Sequence, residues 1–259
     1  MRAMWSGNLG FGLVSVPVKM YSGADDKAFS LNQLHEDCGT RIKMPKYCPN
    51  CKKFLESGEI IKGYPVSKEQ YIPLTDGELE TLPLGSVHSI ALEGFIKNWG
   101  EFDPRWIKDT YLLAPDEGEI AARAYVLFLK AMEELGVTGI AKIAIRQREH
   151  LCAVRVSSGI MMLQTLHWGA EIRDFGEIMV SASVTEKEME MAKTLIGGMT
   201  DDLDLYAFRD EYQDALGKLI AAKMAGETLV STALPTPKEG VDLAEQLLAS
   251  IKAMEKVES

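Results

Sequence analysis

From Ile140 to Arg148 the chain reads IAKIAIRQR, placing Lys142, Arg146 and Arg148 on one face of an extended segment and Ala141, Ile143 and Ile145 on the other. Side chains alternate across a strand with a period of two, so this stretch is built to bury one face and leave the other outside. A turn near Glu149 and His150 returns Leu151 to Val156 alongside it, adding Arg155, and Ile160 to Trp168 follows as a third strand. The hairpin has an oily face and a basic one. Two readings of the basic face weigh equally: the solvated exterior of a half-buried sheet, or a surface that contacts phosphates.

The other short apolar runs extend the same pattern. Trp5 to Tyr21 is β-prone and reads as one strand, with a bulge or an edge position at Pro17. Gly7, Gly10 and Gly12 do not make a phosphate loop, because a proline-containing strand follows them where a helix N-terminus is needed. Ile60 to Tyr64, Gln70 to Leu74 and Ser89 to Trp99 are further strand candidates. Thr75 and Glu78 form a capping box that opens a brief helix. Ala121 to Leu135 is an amphipathic helix stopped at Gly136. Asp103, Asp109 and Asp116 flank Tyr111 to Leu113 and read as solvated loop carboxylates in preference to a nuclease-type metal site. Short strands, one inserted helix and no regular β-α alternation predict a mainly β fold, a barrel or a sandwich.

The character turns helical from Thr185, which makes a second capping box with Glu188. Met189, Ala192, Leu195, Ile196 and Met199 lie on one stripe; a second helix carries Phe208, Tyr212, Leu216, Leu219 and Ile220 and stops at Gly226. The stretch 227–240, with Pro235 and Pro237, is a linker. Val241 to Val257 is again amphipathic, either a docking or strapping element or a helix packed on its own chain.

Metal-ligand chemistry concentrates in His35 to Lys53, HEDCGTRIKMPKYCPNCKK. His35 and Cys38 form one pair and Cys48 and Cys51 a second, the spacing by which short turns supply zinc with four N/S ligands. Four protein ligands close the coordination sphere, so this is a structural zinc knuckle and not a catalytic centre. Arg41, Lys43, Lys46, Lys52 and Lys53 surround the ligands, with no acidic residue from 41 to 53. Cys152 sits apart in an apolar run and needs no chemical role.

Charge limits the partners. The chain carries -10 overall; residues 156–259 hold 9 Lys/Arg against 18 Asp/Glu, while residues 1–155 are nearly balanced at 19 against 20. Nucleic-acid binding by such a chain has to be focused on one surface. The order of a signal peptide is absent from Met1 to Ser22, no apolar run is long enough to span a bilayer, and the cysteines sit at metal spacing. A cytoplasmic location with no membrane partner is expected.

Several long runs resemble the prokaryotic Ku family, the DNA-end-binding component of non-homologous end joining. They are WSGNLGFGLVSVPVKMY, CPNC in the knuckle, GYPVSKEQYIPLTDGELE, DTYLLAPDEG, AIRQREHLCAVRV, and the arm from KEMEMAKTLI through DEYQDALGKLIAAKMAG. The resemblance implies a Ku-type β-barrel core over 1–184 with the zinc knuckle (35–53) inserted, a helical arm over 185–226, the linker 227–240 and a C-terminal helix over 241–259. It implies a nucleoid-associated homodimeric ring that threads duplex ends without reading sequence, recruits an ATP-dependent DNA ligase and has no catalytic activity of its own. In such a ring Lys142, Arg146, Arg148 and Arg155 are the first candidates to hold phosphates, with Arg41, Lys43, Lys46, Lys52 and Lys53 next. His35, Cys38, Cys48 and Cys51 keep the full ligand set that some members lack. The chain ends after KAMEKVES without the Lys-rich tail of other members, so tail contacts are not expected. The alternative is a zinc-ribbon scaffold or transcription adaptor without DNA-end activity.

Overall fold

The computed structural model describes residues 1–68, 70–82, 88–97, 99–146, 148–176 and 181–226. Two strands open the chain, β1 (Trp5–Phe11) and β2 (Val14–Ser22). Two small hairpins follow, β3 (Lys46–Cys48) with β4 (Lys53–Leu55) and β5 (Lys62–Pro65) with β6 (Tyr71–Leu74), and then the short helix α1 (Asp76–Glu80). Next come β7 (Ser89–Lys97), β8 (Ile107–Pro115), helix α2 (Glu119–Leu135), β9 (Val137–Ile145), β10 (Arg148–Ser157) and β11 (Ile160–Leu166).

Seven strands close into a barrel in the order β1-β2-β8-β11-β10-β9-β7, which decides between barrel and sandwich. Closure is made by the parallel pair β1 and β7, with Leu9 opposite Ile90 and the Asn8 amide donating to the His88 carbonyl at 3.0 Å. Gly7 stands at this seam because a Cβ there would collide with the His88 carbonyl and the Trp5 ring. A bulge between Leu92 and Gly94 bends β7 against β9, and Gly139, paired with Phe95 just beyond it, leaves room for the Leu92 side chain.

The single strand expected across residues 5–21 is instead the hairpin β1-β2, turning at Gly12, whose φ of 63° suits glycine, and Leu13. Pro17 pairs with Asn8 inside β2. Its carbonyl accepts from the Asp116 amide at 3.0 Å, just past the end of β8. The proline nitrogen lies on that same side, so the missing N–H removes no bond from the β1-β2 ladder.

Leu9, Val18, Ile90, Ile143, Val154 and Leu163 are fully buried at the centre of the barrel core. Helix α2 ends at Gly136 in the left-handed conformation (φ 60°) and lays Tyr125, Leu129 and Met132 into that core. The Tyr125 hydroxyl donates to the Leu113 carbonyl at 2.7 Å and accepts from the Met161 amide at 2.9 Å, joining two residues that face each other across β8 and β11. Cys152 is wholly buried, and burial pushes its thiol up to about 12, so it is inert as a nucleophile.

Between β2 and β7 the chain leaves the barrel. Among the described residues from 23 to 82 none is fully buried. The capping box at Thr75 is present: the Glu78 amide donates to Thr75 Oγ1 at 3.3 Å and the Thr75 amide to Glu78 Oε2 at 2.8 Å.

The chain divides into two compact units between Asp174 and Phe175. In the second unit α3 (Glu186–Gly198) opens with the Thr185 and Glu188 box, and α4 (Glu211–Met224) is capped by Asp210, which accepts from the Gln213 amide at 3.0 Å. Phe208 falls ahead of α4, after a 3-10 turn at Leu205–Ala207, and not on the helix where its spacing had put it. No residue of α3 is buried, and Ile196 and Met199 are exposed. The linker 227–240 and the C-terminal helix 241–259 lie outside the described residues. Among those residues no helix is long and apolar enough to cross a membrane.

Candidate nucleic-acid interface and metal-ligand turns

The β9-β10 hairpin turns earlier than its sequence suggests. Ile145 pairs with Arg148, Arg146 stands between the two strands at φ 51°, and Glu149 and His150 lie within β10. Turns of this tightness favour Asn or Gly, and an arginine in the left-handed region gives no local signal. The consequence is a different distribution of charge. Ala141, Ile143 and Ile145 do face the core. Lys142 and Arg155 lie on the outer face, while Arg148 shares the parity of Cys152 and Val154 and sits with Arg146 at the barrel end. The four cations therefore do not share one face.

Their partners differ as well. Lys142 Nζ is 3.7 Å from Glu93 Oε1, a carboxylate on the bulge of β7. The Arg155 guanidinium stands 5.9 Å from the Trp99 ring centre, and that ring stacks on Phe102 at 4.1 Å. Arg146 and Arg148 have no carboxylate within ion-pair distance among the described residues.

The two predicted ligand pairs lie in two separate turns. His35 and Cys38 lie in a tight turn closed by the Gly39 amide to the His35 carbonyl (2.8 Å) and the His35 amide to the Thr40 carbonyl (2.9 Å); His35 Nδ1 is 3.1 Å from Cys38 Sγ. Cys48 and Cys51 lie at the turn of the β3-β4 hairpin, where the Cys51 amide donates to Cys48 Sγ at 3.4 Å and Tyr47 meets Phe54 edge-on. Hydrogen bonds from Thr40 and then His35 hold the Cys38 thiol below its ordinary range. The Cys51 amide does the same for Cys48, and Cys48 in turn raises Cys51. The donors suit zinc in kind. Their placement keeps the pairs separate: among the described residues no three His, Cys, Asp or Glu side chains are grouped to hold a metal.

Arg41, Lys43, Lys46 and Lys52 around these turns are exposed and have no carboxylate partner among the described residues, whereas Lys53 Nζ pairs with Glu59 Oε1 at 2.6 Å. The three aspartates are each engaged separately. Asp103 caps a 3-10 turn and binds Arg105, which holds its carboxyl below the usual range; Asp116 lies 2.7 Å from Lys19. Asp109 is not on a loop but within β8, accepting from Thr165 Oγ1 at 3.3 Å.

A feature the sequence did not announce is a cavity of about 690 Å3 at the barrel end, lined among others by Arg2, Trp5, Tyr111, Arg146, Arg148 and His150. These residues come from three separate stretches of chain, so no spacing reveals them. Burial, then Lys108, lowers the His150 pKa, which keeps its imidazole neutral near pH 7.

Comparison with known proteins places this geometry in a lineage. A family model described as Ku70/Ku80 beta-barrel domain matches residues 10–191. A protein of Archaeoglobus fulgidus is 40% identical over 98% of this chain and 98% of its own length. One of Symbiobacterium thermophilum is 38% identical over 98% of this chain, which spans only 64% of that relative, and one of Bacillus subtilis is 33% identical over 97% of this chain and 82% of its own. Each is named Non-homologous end joining protein Ku. The closed seven-stranded barrel and a match across most of the sequence agree: this chain belongs to the Ku family.

Proposed function

We propose that this chain binds ends of double-stranded DNA, without reading sequence, as a homodimer acting in non-homologous end joining. The observation that carries this reading is the family match over residues 10–191, joined by near-full-length relatives whose names give non-homologous end joining. Sequence-independent binding needs cations on phosphates and the release of the counterions they displace. Arg41, Lys43, Lys46, Lys52, Arg146 and Arg148 lack carboxylate partners among the described residues, so they meet a phosphate without first breaking an ion pair. Lys53, Lys142 and Arg155, already engaged, contribute less.

The segment between β2 and β7 supports two further parts of the reading. It exposes Tyr64, Val66, Tyr71 and Ile72 on the β5-β6 hairpin and Leu34, Ile42 and Met44 around the first ligand pair. Segments without a buried core need a metal or a second subunit to hold them. In this proposal zinc joins the two pairs His35/Cys38 and Cys48/Cys51, and the exposed apolar residues pack against the second copy that closes the ring. An ATP-dependent DNA ligase is the proposed partner, with the amphipathic sequence Val241 to Val257 as its docking element. The chain itself performs no reaction in this scheme.

Gel-shift titration of linear and covalently closed circular duplex of the same sequence, repeated across salt, tests the reading. Linear duplex is expected to bind, with affinity falling steeply as salt rises, and the closed circle is not. Equal binding to both forms removes end recognition.

A further inference from the structure

The cavity at the barrel end concentrates positive charge in a way that phosphate contact along a duplex does not require. Arg2, Arg146 and Arg148 line it, and none has a carboxylate within ion-pair distance among the described residues. The one acid in the lining, Asp109, is tied to the buried Thr165 hydroxyl at 3.3 Å. Three guanidiniums against one carboxylate leave the lining positive, and an oxyanion that receives their forked hydrogen bonds offsets that excess. A metal cation is disfavoured by the same charge.

Size and walls narrow the ligand further. The volume of about 690 Å3 is that of a small-molecule site and is far more than one phosphate group fills. Trp5 and Tyr111 supply aromatic walls, and both are anchored against the barrel core, so the cavity does not have to be ordered on binding. Aromatic walls beside guanidiniums are how proteins hold single nucleotide units, the base against a ring and the phosphate on arginine.

We propose that the barrel-end cavity binds one nucleotide unit, with Arg2, Arg146 and Arg148 on its phosphate and Trp5 and Tyr111 along its base. The unit comes either from free nucleotide or from an unpaired strand end; both present the same chemistry. This does not rest on encirclement of a duplex, since a mononucleotide needs no ring.

Isothermal titration calorimetry of the full chain with thymidine 5′-monophosphate, thymidine, inorganic phosphate and a 5′-phosphorylated tetrathymidylate tests it. The monophosphate is expected to bind at least about tenfold more tightly than thymidine or inorganic phosphate, each of which lacks half of the contacts. Arg148→Gln, and separately Arg2→Gln at an exposed position near the start of the chain, are each expected to weaken it about tenfold. Tighter binding of the tetranucleotide assigns the site to strand ends, and equal binding assigns it to free nucleotide. Absence of monophosphate binding at millimolar concentration, equal binding of thymidine, or affinity unchanged in both variants overturns the proposal. Any of these leaves the comparison of linear and circular duplex untouched.

Discussion

Leu163 in β11 is completely shielded, whereas Tyr64 in the β5-β6 hairpin is 64% exposed, and the two residues stand for two ways of holding a backbone. The barrel closes its hydrogen-bond ladders on themselves and fills its interior, so its order depends on nothing outside the chain. The segment from 23 to 82 makes local turns, small hairpins and capping boxes, yet buries no described residue completely. Isolated hairpins of that size are marginal in water. The barrel is thus the scaffold, and the segment is where external bonds, to metal, a second copy or DNA, have something to add.

Substitutions sharpen this contrast. Leu163→Ala empties a fully buried site and is expected to cost about 2–5 kcal/mol in denaturant unfolding, while Tyr64→Ala should move the same midpoint by no more than about 0.5 kcal/mol. A comparable loss at Tyr64 would mean that the hairpin has a buried partner in solution, and loss only at high protein concentration would name that partner as the second copy. Tyr125→Phe removes the hydroxyl that joins Leu113 to Met161 and should cost about 1–3 kcal/mol, leaving a buried amide and carbonyl short of a partner. Thr75→Ala removes one capping contact, and a loss of about 1 kcal/mol confined to α1, seen as faster amide exchange there, is expected with the barrel unchanged. The smallest effect on the barrel is predicted for Cys48→Ser or chelation: its unfolding midpoint stays fixed while limited proteolysis within 23–82 accelerates. A shift of the barrel midpoint on chelation would contradict the separation of the two regions.

What was legible in the sequence follows the same division. Local chemistry was readable: the capping boxes at Thr75 and Thr185, the stop at Gly136, the alternation of Ala141, Ile143 and Ile145, and the inert Cys152 depend on neighbours a few residues away. Non-local pairing was not. The parallel seam of β1 and β7 joins residues some eighty positions apart, and nothing at Leu9 announces Ile90. The β1-β2 turn was hidden because Pro17 looked like the interruption while Gly12 and Leu13 made the bend. A turn at Arg146 defied residue preference, and one misplaced turn moved Arg146 and Arg148 from a shared basic face to the barrel end. The metal ligands show the remaining limit: the spacing of His35/Cys38 and Cys48/Cys51 reads as one four-ligand set, and among the described residues they stand as two separate turns.

Topological retention tests the central claim, that a closed dimer threads onto a duplex end, most directly. The protein is bound to linear duplex, the ends are then joined or capped with bulky blocks, and the complex is washed with high salt. Threading predicts that protein loaded before closure stays on the DNA at salt that strips protein added afterwards, and that cutting the circle releases it. Equal loss of both populations would contradict it.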